Sequence, residues 1–389
     1  MNLSTSFRYL APAARLHVGP GALDQLPAEV RRVGARRAFI VASRTVSRET
    51  GLVRRVRDVL GELYAGSFEE AVRESPLRSV MAGVREVQAA GPDLIVAVGG
   101  GSAIVTARAI TIIAGEGKTV HQMYTRHFPD KPPIVYRANA PKLPNILVPT
   151  TPTTGADRGG AAVYDEAPPH RKELYDPKTR PLAILVDPEA LLTAPAALYL
   201  DTSLTTFCGI VDALQYTGHP ALAFADYRQG LQMCLEYLPR LVADPSGAEV
   251  RIQLCMAGVL ANRASQSTYN LAGMARTTSL DRTIRYRYPH VGQGAANAVL
   301  LATSLRMNAG ILSEGQTQLA SMLGATDAPG CLEAFLRRVG VAVRLQDLGI
   351  PRADFRLLAE IEAGSPAFGQ GANRVSDVEE LVWLLESAW

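Results

Sequence analysis

Nowhere in the 389 residues do eighteen uncharged apolar residues run together, so a membrane-spanning helix is excluded. The most apolar segments are broken by Arg108, Asp187, Asp201 or Asp212. Cysteine is scarce: Cys208, Cys234, Cys255 and Cys331 stand far apart, with no CxxC pair. That pattern points to reduced, buried thiols in a cytoplasmic protein, not to a disulfide framework. The charge excess is small, 40 Lys and Arg against 37 Asp and Glu, too little for the basic stripe of a nucleic-acid binder. The N-terminus has no continuous apolar block of the signal-peptide kind, and RLHVGPGAL (15–23) reads as a strand and turn. What is present suffices for a large core. Apolar residues make up 47% and charged residues 20%, which excludes disorder across the chain, and the length suits two domains.

The first half alternates strand-like and helix-like segments. RAFIVAS (37–43) is β-rich, and LVRRVRDVLGELY (52–64) repeats Leu52, Val53, Val56, Val59, Leu60 and Leu63 at helical spacing. PLRSVMAGVREVQAA (76–90) places Leu77, Val80, Met81, Val84 and Val87 on one helical face and leads into the apolar run DLIVAV (93–98). NILVPTT (145–151) and LAILVD (182–187) are further candidates for buried strands. Apolar strands separated by amphipathic helices predict a parallel sheet covered on both faces. After Asp187-Pro188 long helical stretches dominate, at 231–242, 252–265, 295–312 and 375–389. The expected architecture is an α/β domain over 1–190 and an all-α domain over 191–389. Residues 113–143, with several Gly and Pro and little periodicity, read as a long loop beside the sheet and a candidate lid.

Two loops carry the chemistry. DLIVAVGGGSAIVTARAI is a strand, a triple-glycine turn and a helix opening near Ser102. Glycines let the backbone approach a pyrophosphate, and a helix N-terminus offers unpaired N–H groups, so Gly99, Gly100, Gly101 and Ser102 are candidate cofactor ligands. A glycine run can also be a plain tight turn; the strand and helix on either side favour the functional reading. The second loop, VPTTPTTGADRGG (148–160), follows a buried strand end, where ligands bind in open α/β sheets. Its Thr150, Thr151 and Thr154 are suited to a nicotinamide ribose or a diphosphate.

These segments, in this order and spacing, resemble the iron-containing (group III) alcohol dehydrogenase superfamily, including its maleylacetate reductase branch. LHVGPGAL is similar to the family's first strand and glycine turn, VGGGSA to its pyrophosphate loop and VPTTPTTGAD to its PTT…TGSE loop. LVDPEALLTAPA resembles the segment ending the first domain, VDALQY the metal-ligand helix GxDALxHA, and PHVGQGAANAVLL the family's PHG…ANAxLLP. The likeness covers nearly the whole chain. It implies a dinucleotide-binding α/β domain, a helical domain and an active site in the cleft between them. NADP or NAD is the implied cofactor and a small molecule the substrate, with a homodimer as a further expectation.

The departures shape the functional expectation. Asp212 matches the family's Asp ligand, but its i+4 partner is Tyr216 where the family has His. Aligned without gaps, AGMARTTSLDRTIRYRYPH (272–290) puts Arg276 at the third ligand, Leu280 at a position that is often His, and His290 at the fourth ligand. Gln293 competes with His290 for that match, and His219 is either a relocated ligand or a helix-end histidine. Arginine cannot ligate a metal. A guanidinium there would pair with Asp212 instead, unless Arg276 is a misaligned surface residue, so no metal is expected. The family's ribose-binding Asp is replaced by Ser43, followed by Arg44, which favours a 2′-phosphate. The Asp and Lys of the helix after the glycine loop become Val105 and Arg108.

The resulting expectation is a metal-independent NADP- or NAD-linked reductase of a small, anionic carbonyl compound. Arg276, oriented by Asp212, would polarise the carbonyl or hold a carboxylate, and Tyr216 or His290 would give the proton. Lys172 matches a family lysine near the active site and competes with a surface reading in PPHRKE. Arg282, Arg285 and Arg287 would add positive charge, or form a solvated face. Alternatives are a lyase, isomerase or cyclase on the same scaffold, and a cofactor-binding homologue without catalysis.

Overall fold

The computed structural model describes residues 3–7, 9, 14–128, 132–167, 170–268, 279–364 and 377–389. Its ten strands are β1 (Leu3–Ser4), β2 (Arg15–Val18), β3 (Ala38–Ser43), β4 (Tyr64–Ala71), β5 (Leu94–Gly99), β6 (Asn145–Pro149), β7 (Gly160–Tyr164), β8 (Arg171–Tyr175), β9 (Ala183–Val186) and β10 (His219–Pro220). Six form one sheet in the order β2-β9-β6-β5-β3-β4, every pair parallel. Strand alternation divides the core. Ile95 and Ala97 face the helices Leu77–Ala90 and Gly101–Glu116, while Leu94, Val96 and Val98 pack with Leu26, Val30, Val53 and Val56 on the other side. The helix Leu77–Ala90 buries Val80, Val84 and Val87 and stops where Gly91 turns left-handed, at φ 56°.

Beyond β9 the structure is helical. The long helices Ala196–Leu214, Ala221–Ala243 and Ala248–Ser265 pack together, and Gln293–Asn308 lies along the first of them. Arg251 stitches the junction between the halves. Its guanidinium donates to the carbonyls of Leu191 (2.6 Å), Ala194 (2.7 Å) and Pro245 and stacks over Tyr199. β1 pairs in parallel with β10, tying the start of the chain to the helical half. Among the described residues no helix is long and apolar enough to cross a membrane.

The segment 113–143, expected as a long loop and a candidate lid, carries regular structure and buried contacts among its described residues. Its first residues complete the helix Gly101–Glu116, and the buried Glu116 then gathers the far end of the loop. Tyr136 Oη, the Ala140 N–H and Lys142 Nζ all donate to its carboxylate, at 2.8, 2.9 and 2.6 Å. Lys142, with no exposed side-chain surface, also meets Asp176 at 3.2 Å. A buried lysine between two buried carboxylates is a costly arrangement unless all three stay together, so this loop is pinned.

Candidate active site

At the end of β5 the backbone turns through Gly99, at φ 139°, and Gly100 into the helix Gly101–Glu116. A side chain would be strained at Gly99 and crowded at Gly100. A Cβ on Gly99 would lie 2.9 Å from the Ala103 Cβ, and one on Gly100 would lie 3.2 Å from Thr151 Oγ1. Thr150 donates its N–H to the Gly99 carbonyl at 3.2 Å, so the glycine and threonine loops are hydrogen-bonded to each other. Thr151 is 1% exposed, and its hydroxyl has no partner. Thr153, not singled out by the sequence, faces Gly101, whereas Thr154 is half-buried in the same loop. Ser102 contributes its carbonyl, which accepts from Ser75 Oγ at 3.3 Å.

The threonine loop is suspended between the two halves. From below, Arg108 donates to the carbonyls of Gly160 (2.7 Å), Gly155 (2.8 Å) and Ala156 (3.1 Å). Burial pulls the Arg108 guanidinium down to about 10, which leaves it charged at neutral pH. From above, Asn262 Nδ2 donates to the Thr153 carbonyl at 2.8 Å, and Gly258 leaves room for Pro152 and Thr153. A polar side chain at a buried position of its helix was the sequence signal for Asn262.

Asp212 stands on the helix Ala196–Leu214, one turn beyond the exposed Gly209. The residue is exposed, yet its carboxyl is crowded by protein atoms. That crowding pushes its pKa up to about 6, against a hydrogen bond from Gln215 Nε2 at 2.7 Å. Gln215 was not foreseen; it is fully buried, and Gln316 donates to its amide oxygen at 3.4 Å. Tyr216 is 4% exposed and packs with Leu312. Its hydroxyl has no partner, and burial and the charge of Asp212 both raise its pKa.

The other expected site residues have these places. His290 is exposed, with Nε2 against the Leu348 carbonyl at 3.2 Å. The chain just after it packs on Asp201, where the Ala295 N–H donates to the carboxylate at 2.9 Å. Asp201 is roughly 16 Å of helix from Asp212. Gln293, the competing match, is exposed at the first position of its helix. His219 is the helix-end histidine, 2% exposed, with Nε2 on the Ala213 carbonyl at 3.0 Å. Lys172 is neither a surface lysine nor free for catalysis. It is 1% exposed, donates to the Ala167 carbonyl at 3.0 Å, meets Asp165 at 3.5 Å and lies over Tyr124. Leu280 is buried, and Arg276 lies outside the described residues.

The arginines after Leu280 do not form a solvated face either. Arg285 binds Glu74 at 2.9 Å and approaches Asp281 at 3.9 Å. Arg282 is pulled down by burial and by Arg171, which is itself paired with Glu173 at 2.8 Å. Arg285 and Arg171 thus meet three carboxylates where the halves touch, with Arg282 buried beside them, while the exposed Arg287 meets Asp354 at 3.5 Å. On the cofactor side, Ser43 caps the helix Arg44–Glu49, accepting from the Val46 N–H at 3.3 Å, and Arg44 is bound to Glu70.

These observations decide which groups the site can take. A Cβ-free path beside a buried, unpartnered threonine hydroxyl fits a pyrophosphate, which would be held by Gly99–Ser102 and Thr151. The described residues, which leave out 269–278, offer a divalent metal few donors. Asp212 is engaged by an amide, its neighbour at i+4 is a phenol, and no three His, Cys, Asp or Glu converge among the described residues.

A parallel sheet ending in a glycine loop, followed by a helical half, gives the chain a two-domain architecture. The first domain model of the iron-containing alcohol dehydrogenases matches residues 13–188, and their C-terminal domain model matches 211–389. This chain belongs to the iron-containing alcohol dehydrogenase family. It is 26% identical over 387 residues to the NAD-dependent methanol dehydrogenase of Bacillus methanolicus, covering 95% of this chain and 97% of that protein. The lactaldehyde reductase of Escherichia coli K12 shows the same identity and coverage. In fold it resembles the alcohol dehydrogenase of an archaeal halo-thermophile from a Red Sea brine pool, with a TM-score of 0.84, 20% identity and complete coverage of both chains. The homologues are oxidoreductases, which supports an enzyme of the alcohol dehydrogenase type that binds NAD or NADP.

Proposed function

We propose that this chain reduces a small, anionic carbonyl compound with NADPH or NADH and does so without a divalent metal. The observation that carries the proposal is the company Asp212 keeps: the Gln215 amide on its carboxylate and, four residues on, the buried Tyr216 phenol, where the family motif the sequence resembles has a histidine. When bound, the dinucleotide supplies the hydride. Arg276, placed at the third ligand by the alignment, would direct guanidinium N–H groups at the carbonyl oxygen where negative charge develops, or hold a substrate carboxylate. Asp212 would orient it. Burial keeps the Tyr216 phenol protonated, so it holds a proton beside Asp212, and His290 is the weaker candidate because of its place on the surface.

The test is oxidation of NADPH and NADH, followed by absorbance, with a panel of aldehydes and 2-keto acids. Protein prepared without chelator is analysed for metals in parallel. Turnover is expected to survive EDTA, with far less than about one zinc or iron per chain. Activity abolished by EDTA and restored by either metal would overturn the metal-free reading.

A further inference from the structure

We propose that Glu70 sets the choice between NADPH and NADH by occupying the two guanidiniums that a 2′-phosphate would need. The inference rests on the dinucleotide reading above and assigns its selectivity to a residue outside the glycine and threonine loops. β3 and β4 lie side by side with Ser43 opposite Ala71, so Glu70 ends its strand next to the helix Arg44–Glu49. Ser43 also adjoins the glycine loop, with its Oγ 3.8 Å from where a Gly99 Cβ would stand. This strand end is where such folds receive the adenosine ribose: a carboxylate there takes the 2′-hydroxyl, and an arginine takes the 2′-phosphate.

Here the chain has both, joined to each other. Glu70 Oε2 binds Arg44 Nε at 2.5 Å, and Oε1 binds Arg48 Nη2 at 2.6 Å. All three side chains are more than a third exposed, so this is a surface pair that a stronger anion displaces. A 2′-phosphate, close to a dianion at neutral pH, is such an anion. Of the other carboxylates nearby, Glu69 is held by Ser47 and Ser67, and Glu86, raised by burial, lies close enough to Glu69 and Glu70 to be raised by their charge as well; neither pairs with the two arginines. As built, the cluster tolerates a 2′-phosphate without selecting it. One carboxylate sharing two guanidiniums with a dianion in near-aqueous surroundings costs that dianion about tenfold in affinity.

The experiment is fluorescence titration of the full-length chain with NADPH and with NADH, for wild type, Glu70→Gln and Arg44→Ala, with folding checked by circular dichroism. Wild type is expected to bind the two within a few-fold. Glu70→Gln should tighten NADPH about tenfold and leave NADH within about twofold, the gain shrinking as salt is raised. Arg44→Ala should weaken NADPH alone. Unchanged NADPH affinity in Glu70→Gln would overturn the inference. So would weaker NADH binding in that variant, because Glu70 would then be the ribose acceptor itself. Wild type binding neither dinucleotide would overturn the functional reading, and this inference with it.

Discussion

Arg108→Met is expected to weaken dinucleotide binding about tenfold to a hundredfold. The methionine fills the arginine's volume and provides no donor. The carbonyls of Gly155, Ala156 and Gly160 would lose the guanidinium that gathers them from 2.7 to 3.1 Å. Those carbonyls fix the far end of the loop whose near end presents the Thr151 hydroxyl to Gly100. Asn262 would still hold Thr153, so the loop should shift rather than dissolve. Arg108→Lys restores the charge and one or two donors, and should recover part of the affinity. The measurement is again fluorescence titration, which reports affinity and stoichiometry separately. A merely unstable variant loses binding sites at unchanged affinity, whereas a misplaced loop keeps its sites and loses affinity. Wild-type affinity in folded Arg108→Met would show that the loop is shaped without it.

Lys142→Met should cost about 3–5 kcal/mol of stability, read from equilibrium unfolding in urea. The ammonium sits between Glu116 and Asp176, all three side chains nearly or fully buried. Removing it strands two carboxylates, and Lys178, at 3.2 Å from Asp176, can answer only one. The same triad gives a pH signature. Burial tends to raise the Glu116 carboxyl, but donors from Lys142, Tyr136 and the Ala140 N–H prevail and hold it at about 2. A carboxyl depressed from 4.5 in this way adds stability that is complete above the unfolded value and is lost as pH falls towards about 2. Wild type should therefore keep this increment at pH 5 and lose it by pH 2, and Lys142→Met should lose most of that dependence. A full-strength pH dependence in the variant would place the stabilisation on other groups.

The sheet was readable wherever a strand is buried on both faces. β3, β5, β6 and β9 are continuous apolar runs in the sequence, and the structure places them side by side. β4 and the β7–β8 hairpin were not read. YAGSFEEA is a half-exposed edge strand with polar residues on both sides of its pleat, and RKELY mixes charges into a strand paired on one side only. The glycine and threonine loops were legible because closeness of backbone to a ligand demands particular residue types. Arg108 and Asn262 were not, because side chains that bind backbone carbonyls leave no partner residue to find in the sequence. His290 marks a limit of another kind: a gapless alignment sets its order in the chain and says nothing of its exposure or of the Leu348 carbonyl it meets.

The order of strands in the sheet also sets a schedule. Among the described residues β2 pairs with β9 alone, with Arg15 opposite Ala183, and β1 waits for residues 219 and 220. At ribosomal speeds of about 5–20 residues per second, β2 is made roughly 10–30 s before its partner exists. Through that interval Leu16 and Val18 belong to an unpaired strand, and β3, β4 and β5 can already associate among themselves. The last act of assembling the nucleotide-binding half is therefore to seat its first-made strand, and until then the nascent chain carries an open edge for which other chains can compete.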